Sequence, residues 1–222
     1  MENNNTLVKY SGVAIDRGGV RILNSADFEV NAGELVTLEG VIGAGKSTLF
    51  KTLYAELPIA EGKAEVLGFD LRKIPSRKIS KLRCRMGIVF QDYQLFDNKT
   101  VAGNLQFVID SLDFKTPCAN DEYIARILDK VGIPGKADTF PHMLSGGERQ
   151  SVAIARAIVC KPELVIADEP TGNLDEASAQ HIAGLLASLA KEGAGVIVAT
   201  HDEKAFCDFP HRILKVVDGK IS

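Results

Sequence analysis

Leu35-Val-Thr-Leu38, Gly40-Val41-Ile42-Gly43-Ala44-Gly45-Lys46-Ser47 and Thr48-Leu-Phe-Lys-Thr-Leu-Tyr-Ala-Glu-Leu57 read in order as a buried strand, a glycine-rich loop and a helix with apolar residues at Leu49, Leu53 and Leu57. The loop fits G-x-x-x-x-G-K-[ST], and its place between strand and helix gives that string physical sense. At a helix N-terminus the free backbone N–H groups and the positive dipole end favour a polyphosphate, and glycines let the backbone approach it. Lys46 adds a point charge near the β- and γ-phosphates, and Ser47 is placed to hold Mg²⁺. The expected nucleotide contacts run from Gly40 to Thr48. An ordinary glycine-rich turn is the alternative if the string stood alone.

At 222 residues, 45% hydrophobic and 25% charged, the chain is long enough for one large α/β domain. A net charge of −3 argues against bulk nucleic-acid binding. From Leu71 to Gly87, however, Arg72, Lys73, Arg77, Lys78, Lys81, Arg83 and Arg85 stand without an acid. They form either a solvated helix face or an approach to anionic lipid. Cys84, Cys118, Cys160 and Cys207 are far apart and outside any metal-ligand spacing, so reduced thiols are expected. The polar Met1–Thr6 stretch lacks the apolar core of a signal peptide, and no run reaches the ~20 apolar residues of a membrane span. The expectation is a cytoplasmic chain that meets a membrane only through a partner.

Around the loop, Thr6–Ile15, Arg21–Val30 and Lys63–Leu67 read as an antiparallel β portion. Met86–Phe90, Leu164–Ala167 and Gly195–Ala199 read as buried parallel strands. Helical patterns cover Asn120–Val131, Gly147–Val159 and Glu176–Lys191. The stretch from about 93 to 146 holds helices without strands and reads as a helical insertion, with a loose connection over Asp113–Asp121. Alternating strand and helix implies a parallel sheet covered on both faces.

Two further constellations carry chemistry. Leu164-Val-Ile-Ala-Asp168-Glu169 is an apolar strand ending in two carboxylates, which delivers Asp168 to a sheet edge where it can orient Mg²⁺ and Glu169 to a place where it can polarise a water. A solvated acidic turn is the plainer reading. Ser145-Gly146-Gly147-Glu148 opens a helix and can grip a second phosphate, or simply cap that helix. Two anion sites in one chain imply either two ligands or two copies that share them.

With these residues in hand, the chain resembles the ATP-binding cassette (ABC) ATPases over almost its whole length. The likeness rests on Gly40–Ser47, the signature Leu144–Gln150, Asp168-Glu169, Gly172-Asn-Leu-Asp175, Gln91 after the strand Met86–Phe90, and His201 after Ala199-Thr200. The resemblance implies an α/β P-loop cassette over residues 1–222, with a parallel-sheet core, an antiparallel β portion and the helical insertion. It implies ATP and Mg²⁺, the metal held by Ser47, Gln91 and Asp168, and catalysis by Glu169, His201 and Gln91. It also implies a head-to-tail homodimer, in which Ser145, Gly146, Gly147 and Glu148 serve the partner's nucleotide and Asp175 links the two sites.

Ile88-Val-Phe-Gln91-Asp92, Thr100-Val101, Ala167–Asp175 and Ala199-Thr-His-Asp202 are similar to the bacterial cell-division branch of the family, which implies an FtsX-like integral membrane partner. Lipoprotein-release and macrolide-export ATPases share much of Asp168–Asp175 and stand as the alternative. Family members that act on nucleic acid or ribosomes carry tandem cassettes, coiled coils or zinc insertions, and the chain shows none of these signs. A binding module that barely hydrolyses ATP would be expected to have lost Glu169 or His201. Tyr93, Leu95 and Phe96 read either as a docking surface or as core of the insertion.

Three positions depart from the family's pattern. Ser151 stands where arginine is common, and Val41 and Ile42 make the loop apolar. The adenine-stacking aromatic would fall near Ile15 or Asp16, neither of which is aromatic, while Tyr10 comes too early in the strand, so the preference for ATP over GTP stays open.

Overall fold

The computed structural model describes residues 5–202 and 204–221; Met1–Asn4, part of the polar N-terminal stretch, lie outside them. Three short strands make the centre: β3 (Leu35–Glu39), β7 (Leu164–Asp168) and β8 (Gly195–Thr200). Being covered on both faces, they read as nearly unbroken apolar runs. Their alternate side chains divide between two cores. Val165, Ala167, Val196 and Val198 pack on one side, and Leu164, Ile166, Ile197 and Ala199 on the other.

The first face is covered by helices α5 (Gly146–Ile158) and α6 (Glu176–Lys191), together with α3 (Val101–Ser111) and α4 (Asn120–Lys130) of the helical insertion. On the second face lie α1 (Lys46–Leu53) and the antiparallel strands β1 (Thr6–Arg17) and β2 (Val20–Asn31). With β4 (Glu61–Val66), β5 (Phe69–Asp70), β6 (Met86–Val89), β9 (Arg212–Val217) and β10 (Lys220–Ile221), the ten strands run β5-β4-β1-β2-β10-β9-β3-β8-β7-β6. The half from β9 to β6 is parallel, and β1, β2, β4 and β5 pair antiparallel. The expected fold class, a parallel core with an antiparallel portion and a helical insertion, is the one observed.

Some expectations need correction. The helix read to Leu57 ends at Leu53, because Ala55 turns left-handed (φ 55°) and the N–H groups of Glu56 and Leu57 both donate back to the Lys51 carbonyl at 2.8 and 3.0 Å. Arg83 closes that end by donating to the Tyr54 and Ala55 carbonyls. The C-terminal strands β9 and β10 were not expected from the sequence. β9 lies parallel to β3, and Arg212 at its start pairs with Glu34 at 2.6 Å.

Of the seven cations in 71–87, four (Arg77, Lys78, Lys81 and Arg83) lie on helix α2 (Ser76–Arg83), Arg72 and Lys73 follow β5, and Arg85 follows α2. Arg83 and Arg85 are engaged by carbonyls and Glu163, whereas Arg77, Lys78 and Lys81 are exposed. Cys84, Cys118 and Cys160 are free thiols, and burial, with Cys84 nearby, pushes that of Cys160 up to about 11. Among the described residues no helix is long and apolar enough to cross a membrane.

Candidate nucleotide site

Because β3, β7 and β8 are parallel neighbours, their C-terminal ends converge, and the functional side chains sit where open α/β sheets bind ligands. Past β3 the loop Gly40–Gly45 turns into α1, capped by Gly45 at φ 104°. A side chain at Gly45 would strain that left-handed backbone, and its Cβ would lie 3.0 Å from Ile22 Cγ2. The Lys46 ammonium is 6% exposed, donates to the Gly40 carbonyl at 2.6 Å and stands 3.5 Å from Glu169 Oε1.

Asp168 ends β7, half-buried beside α1, and accepts a hydrogen bond from Ser47. Burial pushes its carboxyl above the ordinary range, against the lowering effect of that bond, while Glu169 raises it further and Lys46 opposes. Its Oδ1 has no hydrogen-bond partner. A buried carboxylate oxygen with an open lone pair next to a hydroxyl is the oxygen donor set that suits Mg²⁺. Asp168 and Ser47 therefore fit a hard divalent cation.

Glu169 is held more tightly than its position in a loop suggests. Its backbone is left-handed (φ 48°), and its N–H donates to the Ala199 carbonyl at 2.8 Å. That bond ties the turn to the end of β8. The carboxylate then spans the site: Oε2 lies 2.7 Å from His201 Nδ1 and accepts the His201 backbone N–H at 3.2 Å, while Oε1 faces Lys46. A non-glycine residue in this conformation is costly and needs such support. Gln91, past the end of β6, is exposed and lines the same cavity of about 410 Å³ with Gly43–Thr48, Glu169, His201, Ile42, Arg17 and Ile22. Lys46, Ser47, Gln91, Glu169 and His201 thus line one cavity, and Asp168 stands behind it, bonded to Ser47.

The signature residues are not among those lining this cavity. Ser145 caps α5 by accepting the Glu148 N–H at 3.2 Å, and Glu148 returns a carboxylate to the Ser145 N–H at 2.8 Å and pairs with Lys136 at 2.9 Å. The pairing with Lys136 and the backbone bond hold Glu148 below the usual carboxylate range. A side chain on Gly147 would press on Ser178 Oγ at 3.0 Å, and Gly146 lies near Tyr93. Asp175 caps α6 through the Ser178 N–H and hydroxyl, which lower its pKa.

Sequence reasoning missed Arg156, whose guanidinium donates to the carbonyls of Tyr93 and Gln94 just after Gln91. Tyr93 and Gln94 are both left-handed. It also missed Arg17 and Ile22 as cavity walls. Tyr10 is core, 4.9 Å from the Phe28 ring and bonded to Thr52, consistent with its early place in the strand.

The sequence model of the ABC transporter family matches residues 23–172, which include the loop, the signature and Asp168-Glu169. The chain belongs to the ABC transporter ATPase family. It is 39% identical to the cell division ATP-binding protein FtsE of Streptococcus pneumoniae over 207 residues, 91% of this chain and 88% of that one. It is 38% identical to FtsE of Escherichia coli, covering 92% of this chain and 91% of that one. Among solved structures, the dimeric bacterial ABC transporter cassette MJ0796 superposes with a TM-score of 0.86 at 28% identity over 97% of this chain and 96% of that one. CbiO1 from Clostridium perfringens, part of an ABC transporter complex, gives 0.86 at 30% identity over 99% and 88%. This ABC ATPase is therefore an ATP-binding and ATP-hydrolysing subunit, homologous to FtsE.

Proposed function

We propose that the chain is the ATPase of a bacterial cell-division complex, in which ATP-driven closure of a homodimer is passed to an FtsX-like integral membrane partner on the inner face of the cell membrane. The observation that carries the catalytic part is Glu169, fixed between Lys46 and His201 at the mouth of the phosphate loop. In this reading Gly40–Thr48 grip the phosphates, and Glu169 takes a proton from the attacking water. His201 orients Glu169 and contacts the γ-phosphate, and the Gln91 amide reaches the metal or that water. Ser47, Asp168 and Gln91 would hold Mg²⁺, whose chemistry is to neutralise charge on the β- and γ-oxygens.

Ser145, Gly146, Gly147 and Glu148 lie away from their own chain's cavity, which supports their serving the nucleotide of a second copy, with Asp175 at the seam. Residues 1–222 act as one ABC domain, with about 93–146 as its helical subdomain. FtsE relatives are named for cell division, and MJ0796 is described as dimeric.

A groove of about 970 Å³ supports a docked partner helix. Ile79, Phe90, Phe96, Phe107, Val108 and Leu112 line it beside the turn that Arg156 holds. Of the three residues weighed for docking, Phe96 reaches this groove, 4.8 Å from Phe107, while Tyr93 and Leu95 pack against the helical core. Capture of a tagged Glu169→Gln variant from detergent-solubilised membranes tests the reading. ATP-dependent recovery of an FtsX-like protein is expected; recovery of an export or lipoprotein-release permease, or of ribosomal or DNA-bound proteins alone, would overturn it.

A further inference from the structure

The nucleotide cavity has two kinds of wall. Most of it comes from the phosphate loop and the ends of the parallel strands, but Arg17 and Ile22 belong to the antiparallel hairpin of β1 and β2. Ile22 lies against Gly45, at the start of α1. A nucleoside triphosphate with its phosphates on the loop must extend its ribose and base along whatever wall remains, and the lining residues outside the phosphate end are these two and Ile42. No Phe, Tyr or Trp is among the lining residues, and the one ring there, the His201 imidazole, is held at the phosphate end by Glu169.

Arg17 is also free to act. It ends β1 opposite Val20, across a two-residue turn whose glycines, Gly18 and Gly19, are both left-handed (φ 59° and 79°), the geometry of a tight hairpin. Its neighbour Asp16 is taken by Arg21, which also pairs with Glu61 at 2.6 Å. Among the described residues the Arg17 guanidinium makes no hydrogen bond or ion pair. A guanidinium is planar and weakly hydrated, and it stacks on the faces of aromatic rings and bases.

We propose that Arg17 is the base-holding residue of this ATPase, its guanidinium stacked on the purine with Ile22 as the apolar flank, in a cavity that reads the face of the base and not its edge. The proposal rests on the reading that nucleotide occupies this cavity. A π-face offers no distinction between adenine and guanine, so ATP and GTP bind with affinities within about threefold of each other.

The test is calorimetric titration of the Glu169→Gln chain, which keeps nucleotide intact, with Mg–ATP, Mg–GTP and inorganic tripolyphosphate. Adding Arg17→Ala is expected to weaken ATP and GTP alike by about 5- to 100-fold, the range for one lost base stack, with tripolyphosphate unchanged. Arg17→Trp restores both nucleotides, and Arg17→Lys, a compact charge without a plane, does not. A matching loss for tripolyphosphate would make Arg17 a phosphate contact and overturn the stacking role. Equal affinities in all variants, or a preference for ATP over GTP beyond about 30-fold in the unmutated cavity, would also overturn it. Failure of the parent chain to bind tripolyphosphate would instead sink the nucleotide reading of the cavity itself, an outcome separable from any effect of Arg17.

Discussion

At one end of the nucleotide cavity, Lys46, Asp168, Glu169 and His201 follow the ends of three parallel strands whose interiors are buried on both faces; at the other, Arg17 stands on a two-glycine turn open to solvent. The phosphate end is over-determined. The Glu169 backbone is tied to Ala199, its carboxylate to His201 and Lys46, and Lys46 to the loop. The base end depends on hairpin geometry and one long side chain. Chemistry that tolerates little displacement is thus carried by the core sheet, and recognition that tolerates more is left to its edge.

If this contrast holds, substitutions at the phosphate end cost turnover and those at the base end cost affinity. Glu169→Gln should lower kcat by about 10²- to 10⁴-fold with ATP binding retained, as read by phosphate release and titration. Unchanged turnover would remove Glu169 as the base. Lys46→Ala should weaken ATP and tripolyphosphate binding together by about 10- to 100-fold, the range for one charge-assisted contact, and lower turnover as well.

Asp168 gives a subtler break. Because burial raises its folded-state pKa, the stability it contributes is fully present below its unfolded value and is lost as pH rises through the folded one. In the metal-free protein this carboxyl keeps a buried oxygen without a partner. Asp168→Asn should therefore raise Tm in chelator by about 2–4 °C, corresponding to ~1 kcal/mol in a chain of this size, while reducing the stabilisation gained from Mg–ATP. A fall in Tm would show that the carboxylate is satisfied as it stands. The smallest effect on turnover belongs to the turn. Gly19→Ala should cost about 1–2 kcal/mol of stability through its left-handed backbone and raise KM for ATP a few-fold, with kcat at saturation unchanged.

The legibility of the sequence follows the same division. β3, β7 and β8 were readable because burial on both faces leaves uninterrupted apolar runs, and the carboxylates that follow β7 stand out against them. The same continuity placed the phosphate loop and its helix. β9 was hidden because Arg212 and Lys215 dilute its pattern and its pairing partner, β3, lies far away in the chain. The early end of α1 was hidden because it is set by the left-handed Ala55 and a cap from distant Arg83.

The missing stacking aromatic near Ile15 and Asp16 was visible, but its substitute was not. The β1–β2 register slips between Val13 and Ile15 and again before Asp16, and such bulges re-aim side chains in a way that alternation cannot foretell. The separation of Ser145 from the phosphate loop also has no local signature, and only the family resemblance suggested that two copies complete the site.

Arg156 gives the molecule a mechanical link. Its guanidinium is latched to two left-handed residues at the edge of the apolar groove, while the helix that bears it begins ten residues earlier at Gly146, about 15 Å away at 1.5 Å rise per residue. A helix of that length behaves as a rod, so a push against the groove reaches the Ser145 end without any intervening contact having to rearrange. On the proposed reading, engagement of a membrane protein and alignment of a second nucleotide would be two ends of a single stiff part.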